Sequence, residues 1–262
     1  MEWTEQGIVL NVRTHGEASA IAEILSERRG RWSGLVRGGR SRAMRPVLQP
    51  GNVVLARWRA RTEDHLGSFI LEPVALRAGA LIDDPLRLAG LMSLMALLKL
   101  LPEREPHPRV HDALLVTLDA LGDETIWPAV LVRFELGLID ELGYGLDLSC
   151  CAATGSTDDL VYVSPKTGRA VSRAAGEPWR DRLLPLPQFL RGLRGESPTA
   201  ADIRDGLRLS GFFLHRFLLQ PRGLDLPESR GRIVAHVEAA ARAEGEGEGE
   251  GEVEVPLPNA GS

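Results

Sequence analysis

Ten arginines and not one Asp or Glu occupy the stretch from Arg28 to Arg61. They are Arg28, Arg29, Arg31, Arg37, Arg40, Arg42, Arg45, Arg57, Arg59 and Arg61, interleaved with Trp32 and Trp58. A guanidinium is planar and always charged and grips a phosphate through two N–H groups, while an indole offers a stacking face. The set therefore suits a polyanion with exposed bases. The chain favours arginine throughout, with only Lys99 and Lys166 as lysines, but such a bias does not remove acids. Solvated surfaces ordinarily mix both signs, so clustered, unbalanced charge favours nucleic acid over a merely basic face. The arginines and Trp32 are the candidate contacts.

A second constellation lies near the C-terminus, where Arg204, Arg208, His215 and Arg216 stand among Leu207, Phe212, Phe213 and Phe217. An apolar pocket with a basic rim is what an acidic, aromatic-ended peptide needs, although helix packing alone also accounts for the phenylalanines. Arg204, Arg208, Phe213 and Arg216 are the candidate peptide contacts. His107 and His111, four apart with Asp112 following, could offer two imidazoles to a metal. Pro106 and Pro108 flank the first, however, and the glutamate of the zinc-protease spacing is missing, so a metal hydrolase is a third and poorer reading. No nucleophile elbow, phosphate-binding loop or dinucleotide fingerprint occurs, which leaves an enzyme reading without a nucleophile or base in a recognisable frame.

These side chains need a frame, and 262 residues suffice for one or two domains. At 44% hydrophobic and 26% charged the composition is that of an ordinary globular chain. The longest apolar run, Ala89 to Leu101, is broken by Lys99 and is too short for a bilayer. The N-terminus lacks the pattern of a secretory signal, and the adjacent Cys150 and Cys151 cannot staple distant segments, both of which suit the cytoplasm.

From Gly7 to Leu76 five short β-branched runs with Gly and Pro punctuation predict a small barrel of the oligonucleotide-binding (OB) type over residues 1–80. The arginines would then sit on its face and loops. Residues 81–242 predict an all-α domain. Asp84 and Pro85 open the first helix, and Leu88, Leu91, Met92, Met95 and Leu98 form its stripe. Further helices follow from about Pro108 to Leu121 and Ile126 to Leu142. Ser197 and Pro198 open a fourth, and a last one runs from about Ser229 to Arg242. An irregular insert occupies about 144–187. The tail, 243–262, alternates Glu with Gly and predicts disorder; without its six glutamates the net charge of −5 becomes +1. Such a tail acts as a solubilising appendage, or competes with DNA for the arginines.

The stretch from Trp3 to Ser41, LQPGNVV, ELGYGLDLSCCAATG, YVSPKTGRAVS, LRLSGFFLHRFL and LPESRGRI, in this order and up to about Arg242, resemble the RecO family of bacterial DNA repair proteins. The resemblance implies an OB-fold DNA-binding domain, a helical domain and no covalent chemistry. It further implies binding of single- and double-stranded DNA, annealing of complementary strands, and contact with the acidic C-terminal tail of single-stranded-DNA-binding protein. With RecR, such proteins load RecA at gaps, which places them in the cytoplasm at the nucleoid, without membrane contact. An RNA-binding OB module, or a protein-protein adaptor without annealing activity, is the alternative. Many family members carry two C-x2-C pairs for zinc; here the corresponding positions are Cys151 and Thr154, then Ser172 and Ala175. One thiolate of four implies a zinc-finger-like insert that has lost its ligands, with no metal and no cofactor. Packing of Leu160, Tyr162 and Val171 is expected to hold it instead.

Overall fold

Alternating side chains over the first 75 residues build five strands: β1 (Glu2–His15), β2 (Ser19–Ser26), β3 (Gly30–Val36), β4 (Val53–Arg59) and β5 (Ser68–Ala75). The computed structural model describes residues 1–192 and 197–249, with side chains through residue 246. The strands close into a barrel in the order β1-β2-β3-β5-β4. Every pairing is antiparallel except β3 with β5, where Leu35 meets Ser68 and Val36 meets Phe69. Five strands closed in this way form an OB-type barrel. β1 pairs with β4 through its first half and with β2 through its second, bending at a bulge between Val9 and Asn11.

An aromatic cluster fills the barrel. Trp3 stacks on Trp58 at 5.9 Å between ring centroids, Trp32 meets Trp58 edge-on at 5.2 Å, and Phe69 meets Trp3 at 5.8 Å. Ile8, Leu10, Leu25 and Val53 belong instead to the hydrophobic core of the helical part. The barrel and the helical part therefore share a core.

The helical part comprises α1 (Pro85–Leu98), α2 (Pro108–Ala120) and α3 (Trp127–Ile139), the last continuing into a π-helical turn, Asp140–Tyr144. Asp84 caps α1 as its sequence predicts, its carboxylate accepting from the N–H groups of Leu86 and Arg87 at 2.9 and 3.0 Å. Met92 departs from the expected stripe and is half exposed. The insert is more regular than expected: β6 (Leu160–Val163), β7 (Ala170–Ser172) and β8 (Leu184–Pro185) form a sheet in the order β7-β6-β8, and the single-turn α4 (Arg173–Gly176) directly succeeds β7 in the chain. Leu160 and Val171 are buried and Tyr162 packs on the same core, as expected.

Two more helices complete the chain, α5 (Ala200–Phe213), which runs into a second π-helical turn, Leu214–Leu219, and α6 (Glu228–Gly249). The expected start at Ser197 and Pro198 is corrected to Thr199. Its hydroxyl accepts from the N–H of Asp202 while the Asp202 carboxylate takes the N–H of Thr199, a reciprocal cap that Ser197 cannot form. α6 passes the expected end at Arg242 and includes residues 243–249, for which the sequence predicts disorder. Glu244 accepts the N–H of Ala200 at 3.0 Å, so the extension caps α5 as well as continuing α6. The expected disorder of 250–262 lies outside the described residues.

Candidate nucleic-acid interface

Strand alternation decides which of the arginines face water. On β4, Arg57 and Arg59 point outward and are exposed, while Trp58 between them is fully buried in the aromatic cluster. Their neighbours across the sheet are Thr4 and Glu2 on β1 and Ile70 and Ser68 on β5. Arg61, just beyond the strand, is exposed. Trp32 is corrected from the surface to the interior: only 5% exposed, it packs on Trp3 and Trp58 and has no face free for a base.

The β3–β4 connection carries Arg37, Arg40, Arg42 and Arg45, all exposed. It is firmly held. The Asn52 amide donates to the carbonyls of Pro46 and Val47 and accepts from the N–H of Ala78, and Val47 and Leu48 are buried. Arg40 donates to the carbonyls of Gly16 and Glu17 at 3.1 and 2.8 Å, pinning this connection to the β1–β2 hairpin. Arg40 and Arg45 line one cavity with the second half of β1.

Arg28 and Arg29 occupy the β2–β3 turn. Arg28 is exposed, whereas Arg29 is paired with Glu5 at 3.2 Å and lies 5.7 Å from the Trp3 ring centroid. Arg31 is corrected as well. It is buried, bound to Glu23, and donates to the carbonyls of Lys99 and Leu101 at 2.6 and 2.5 Å. Its sequence neighbours hide this, because Glu23, Lys99 and Leu101 reach it only through the fold. Among the described residues, Arg28, Arg37, Arg42, Arg45, Arg57, Arg59 and Arg61 form no ion pair. Arg13, exposed on β1 and likewise unpaired, joins them although it lies before the acid-free window.

The C-terminal constellation forms a groove. Arg204, Arg208 and His215 meet Leu207 and Phe212 from α5 and its continuation, facing Leu226, Val234 and the acid Glu238 around α6. Asp205 pairs with Arg204 at 2.9 Å, holding its guanidinium more firmly charged than usual but partly neutralising it. Arg208 has no such partner among the described residues. Phe213 is corrected to a core residue with no exposure; Phe212 is the ring that lines the groove. Arg216 is exposed and lies over the rings of Phe212 and Phe217 at 6.0 and 5.7 Å, outside the groove lining. Arg230 contributes to the floor, where burial disfavours its charge but Glu135 outweighs this and raises its pKa. No local pattern in the sequence links these two residues.

His107 and His111 turn their Nδ1 atoms to different carboxylates. His107 precedes α2 and its Nδ1 faces Glu141 at 3.0 Å, whereas His111 faces Asp112 at 3.2 Å. Among the described residues no group of three or more His, Cys, Asp or Glu could hold a metal ion. At the four positions that correspond to zinc ligands in the resembled relatives, the side chains are one thiol, two hydroxyls and a methyl that can donate nothing, a set that does not fit zinc. Cys151 is instead the centre of a small polar knot, accepting from the N–H and hydroxyl of Ser172 at 3.3 and 3.4 Å. Burial pushes its thiol up, but hydrogen bonds from Ser172, Thr154 and Ala153 prevail and bring it down to about 6.

These features define an OB-type barrel with a basic exterior, joined through a shared core to a helical domain. Residues 1–75 match the N-terminal model of recombination protein O and residues 82–223 its C-terminal model. The chain is 54% identical to a DNA repair protein RecO of Methylobacterium nodulans, across 90% of this chain and 97% of that protein. It is 52% identical to one of Methylorubrum extorquens (90% and 98%) and 53% identical to one of Rhizobium etli (89% and 91%). The chain belongs to the RecO family.

Proposed function

We propose that this chain acts in DNA repair and recombination by binding single- and double-stranded DNA along its barrel, annealing complementary strands, and helping load the recombinase RecA at gaps with RecR. The observation that carries this reading is the set of exposed barrel arginines without carboxylate partners. Annealing requires two phosphate backbones to approach, and such a surface lowers their repulsion by displacing counterions. Family membership supports a role in DNA repair. The groove between α5 and α6, with Arg204, Arg208 and Arg230 against the single acid Glu238 and an apolar wall, supports a seat for the acidic tail of single-stranded-DNA-binding protein, which would bring the chain to coated gaps.

Labelled complementary oligonucleotides, followed as they pair with and without the protein at several salt concentrations, test it. Acceleration that fades with salt is expected. If six to ten phosphates are contacted, affinity falls by about 10³ to 10⁵ between 50 and 200 mM salt. Salt-insensitive binding, or none, would leave the adaptor reading.

A further inference from the structure

The barrel has an unusual deficit for a single-strand binder. Its Trp and Phe side chains, Trp3, Trp32, Trp58 and Phe69, are all buried, and the first 80 residues contain no Tyr. A base therefore finds no exposed aromatic platform of the usual kind on the barrel. A cavity of about 430 Å³ lies between the second half of β1 and the β3–β4 connection, within the size range of small-molecule sites. Its walls include Val12 and Leu48, its polar groups include the amides of Asn11 and Gln49, and Arg40 and Arg45 also line it. None of its lining residues is acidic.

We infer that this cavity receives one unstacked nucleobase of a single strand whose phosphates lie on Arg40 and Arg45. The inference rests on the DNA-binding reading above and names the part of the strand that the arginines do not hold. A side-chain amide presents a donor beside an acceptor, as the edges of bases do, and aliphatic walls accept the flat faces of any base. The Asn11 amide makes no hydrogen bond among the described residues. The Gln49 amide donates one, to the carbonyl of Arg45 at 2.9 Å, which leaves its oxygen and second N–H available. The cavity is formed in advance, because the Arg40 and Asn52 hydrogen bonds fix the connection that makes its outer wall. A duplex keeps its bases stacked and paired, so the site separates single strands from duplexes where phosphate contacts alone do not.

The test uses the full chain with a thymidine oligonucleotide, an abasic strand of equal length and charge, and thymidine monophosphate as competitor. The wild type should bind the thymidine strand about tenfold more tightly than the abasic one. Asn11→Leu and Gln49→Leu should each shrink that gap to less than about twofold while keeping affinity for the abasic strand. Gln49 is exposed on the connection, so its variant reads the site even if Asn11→Leu fails to fold. Equal wild-type affinity for both strands, or an unchanged gap in both variants, would overturn the cavity as a base site and leave the arginine surface standing. Failure of the wild type to bind either strand would overturn the DNA-binding reading and this inference with it. Displacement of the strand by micromolar monophosphate would make a free nucleotide the occupant and overturn the strand-borne base.

Discussion

Arg230 and Glu135, 95 positions apart, form a two-pronged ion pair sealed from water, with Nε to Oε1 at 2.8 Å and Nη2 to Oε2 at 3.0 Å. Arg230 also donates to the carbonyl of Leu207 and the hydroxyl of Ser210, and Ser210 donates to Glu135. One knot thus joins α3, α5 and α6 directly beneath the groove.

Glu135→Ala should therefore cost about 3–5 kcal/mol, because it leaves a buried guanidinium uncompensated. Urea denaturation of the variant against wild type measures this. A loss below about 1 kcal/mol would mean that water reaches Arg230.

The exposed arginines should act through phosphates. Arg37→Ala/Arg42→Ala/Arg45→Ala and Arg57→Ala/Arg59→Ala/Arg61→Ala should each reduce the magnitude of the slope of log affinity against log salt by about 2 on single strands, if all three side chains contact phosphate. Arg31→Ala should leave that slope unchanged and cost stability of about 2–4 kcal/mol through its broken bonds to Glu23 and to the carbonyls of Lys99 and Leu101. Salt titrations of all three variants, alongside their denaturation midpoints, separate the two roles.

In the groove, Arg208→Ala and Phe212→Ala should each weaken an acidic, aromatic-ended peptide by about fivefold or more. Arg204→Ala should weaken it less, since Asp205 already occupies that guanidinium. Fluorescence anisotropy with the C-terminal peptide of single-stranded-DNA-binding protein gives the order, and a dominant Arg204 would contradict it.

The Cys151 thiol should titrate near 6, seen as thiolate absorbance that is absent in Cys151→Ser. Ser172→Ala removes a hydroxyl donor and should move the midpoint up. Because the folded pKa lies below the ordinary thiol value, the stabilisation is complete above that ordinary value and is lost as pH falls through about 6. A midpoint at or above about 8, near the ordinary thiol range, would contradict the hydrogen-bonded thiolate.

Much of the barrel was legible because each strand carries its own alternation and its own glycine or proline boundary. The same alternation placed Arg57 and Arg59 on one face. Trp32 was misleading because residue type suggested stacking, whereas the enclosed barrel needed large rings to fill it. Arg31 looked identical to Arg28 in sequence, since the carbonyls that claim it come from a segment folded against the barrel only in three dimensions. Ser197 and Pro198 looked like a helix start, but the acid three residues beyond Thr199 closes a reciprocal cap with Thr199 and moves the start there. Phe212 and Phe213 differ by one step around a helix, which was enough to exchange groove and interior. The Glu135–Arg230 knot left no local trace, because neither partner can be paired by spacing.

The β2–β3 turn bears most directly on how the two halves behave. Gly30 has φ +66°, and a Cβ there would lie 1.8 Å from the carbonyl oxygen of Glu105, while Arg31 is clamped beside it. The turn thus lies directly against the segment before α2, and any side chain at position 30 would have to push the barrel and the helical part apart. Gly30→Ala would therefore act first on the seam between the halves, like a shim driven between two boards, before it disturbed the interior of either one.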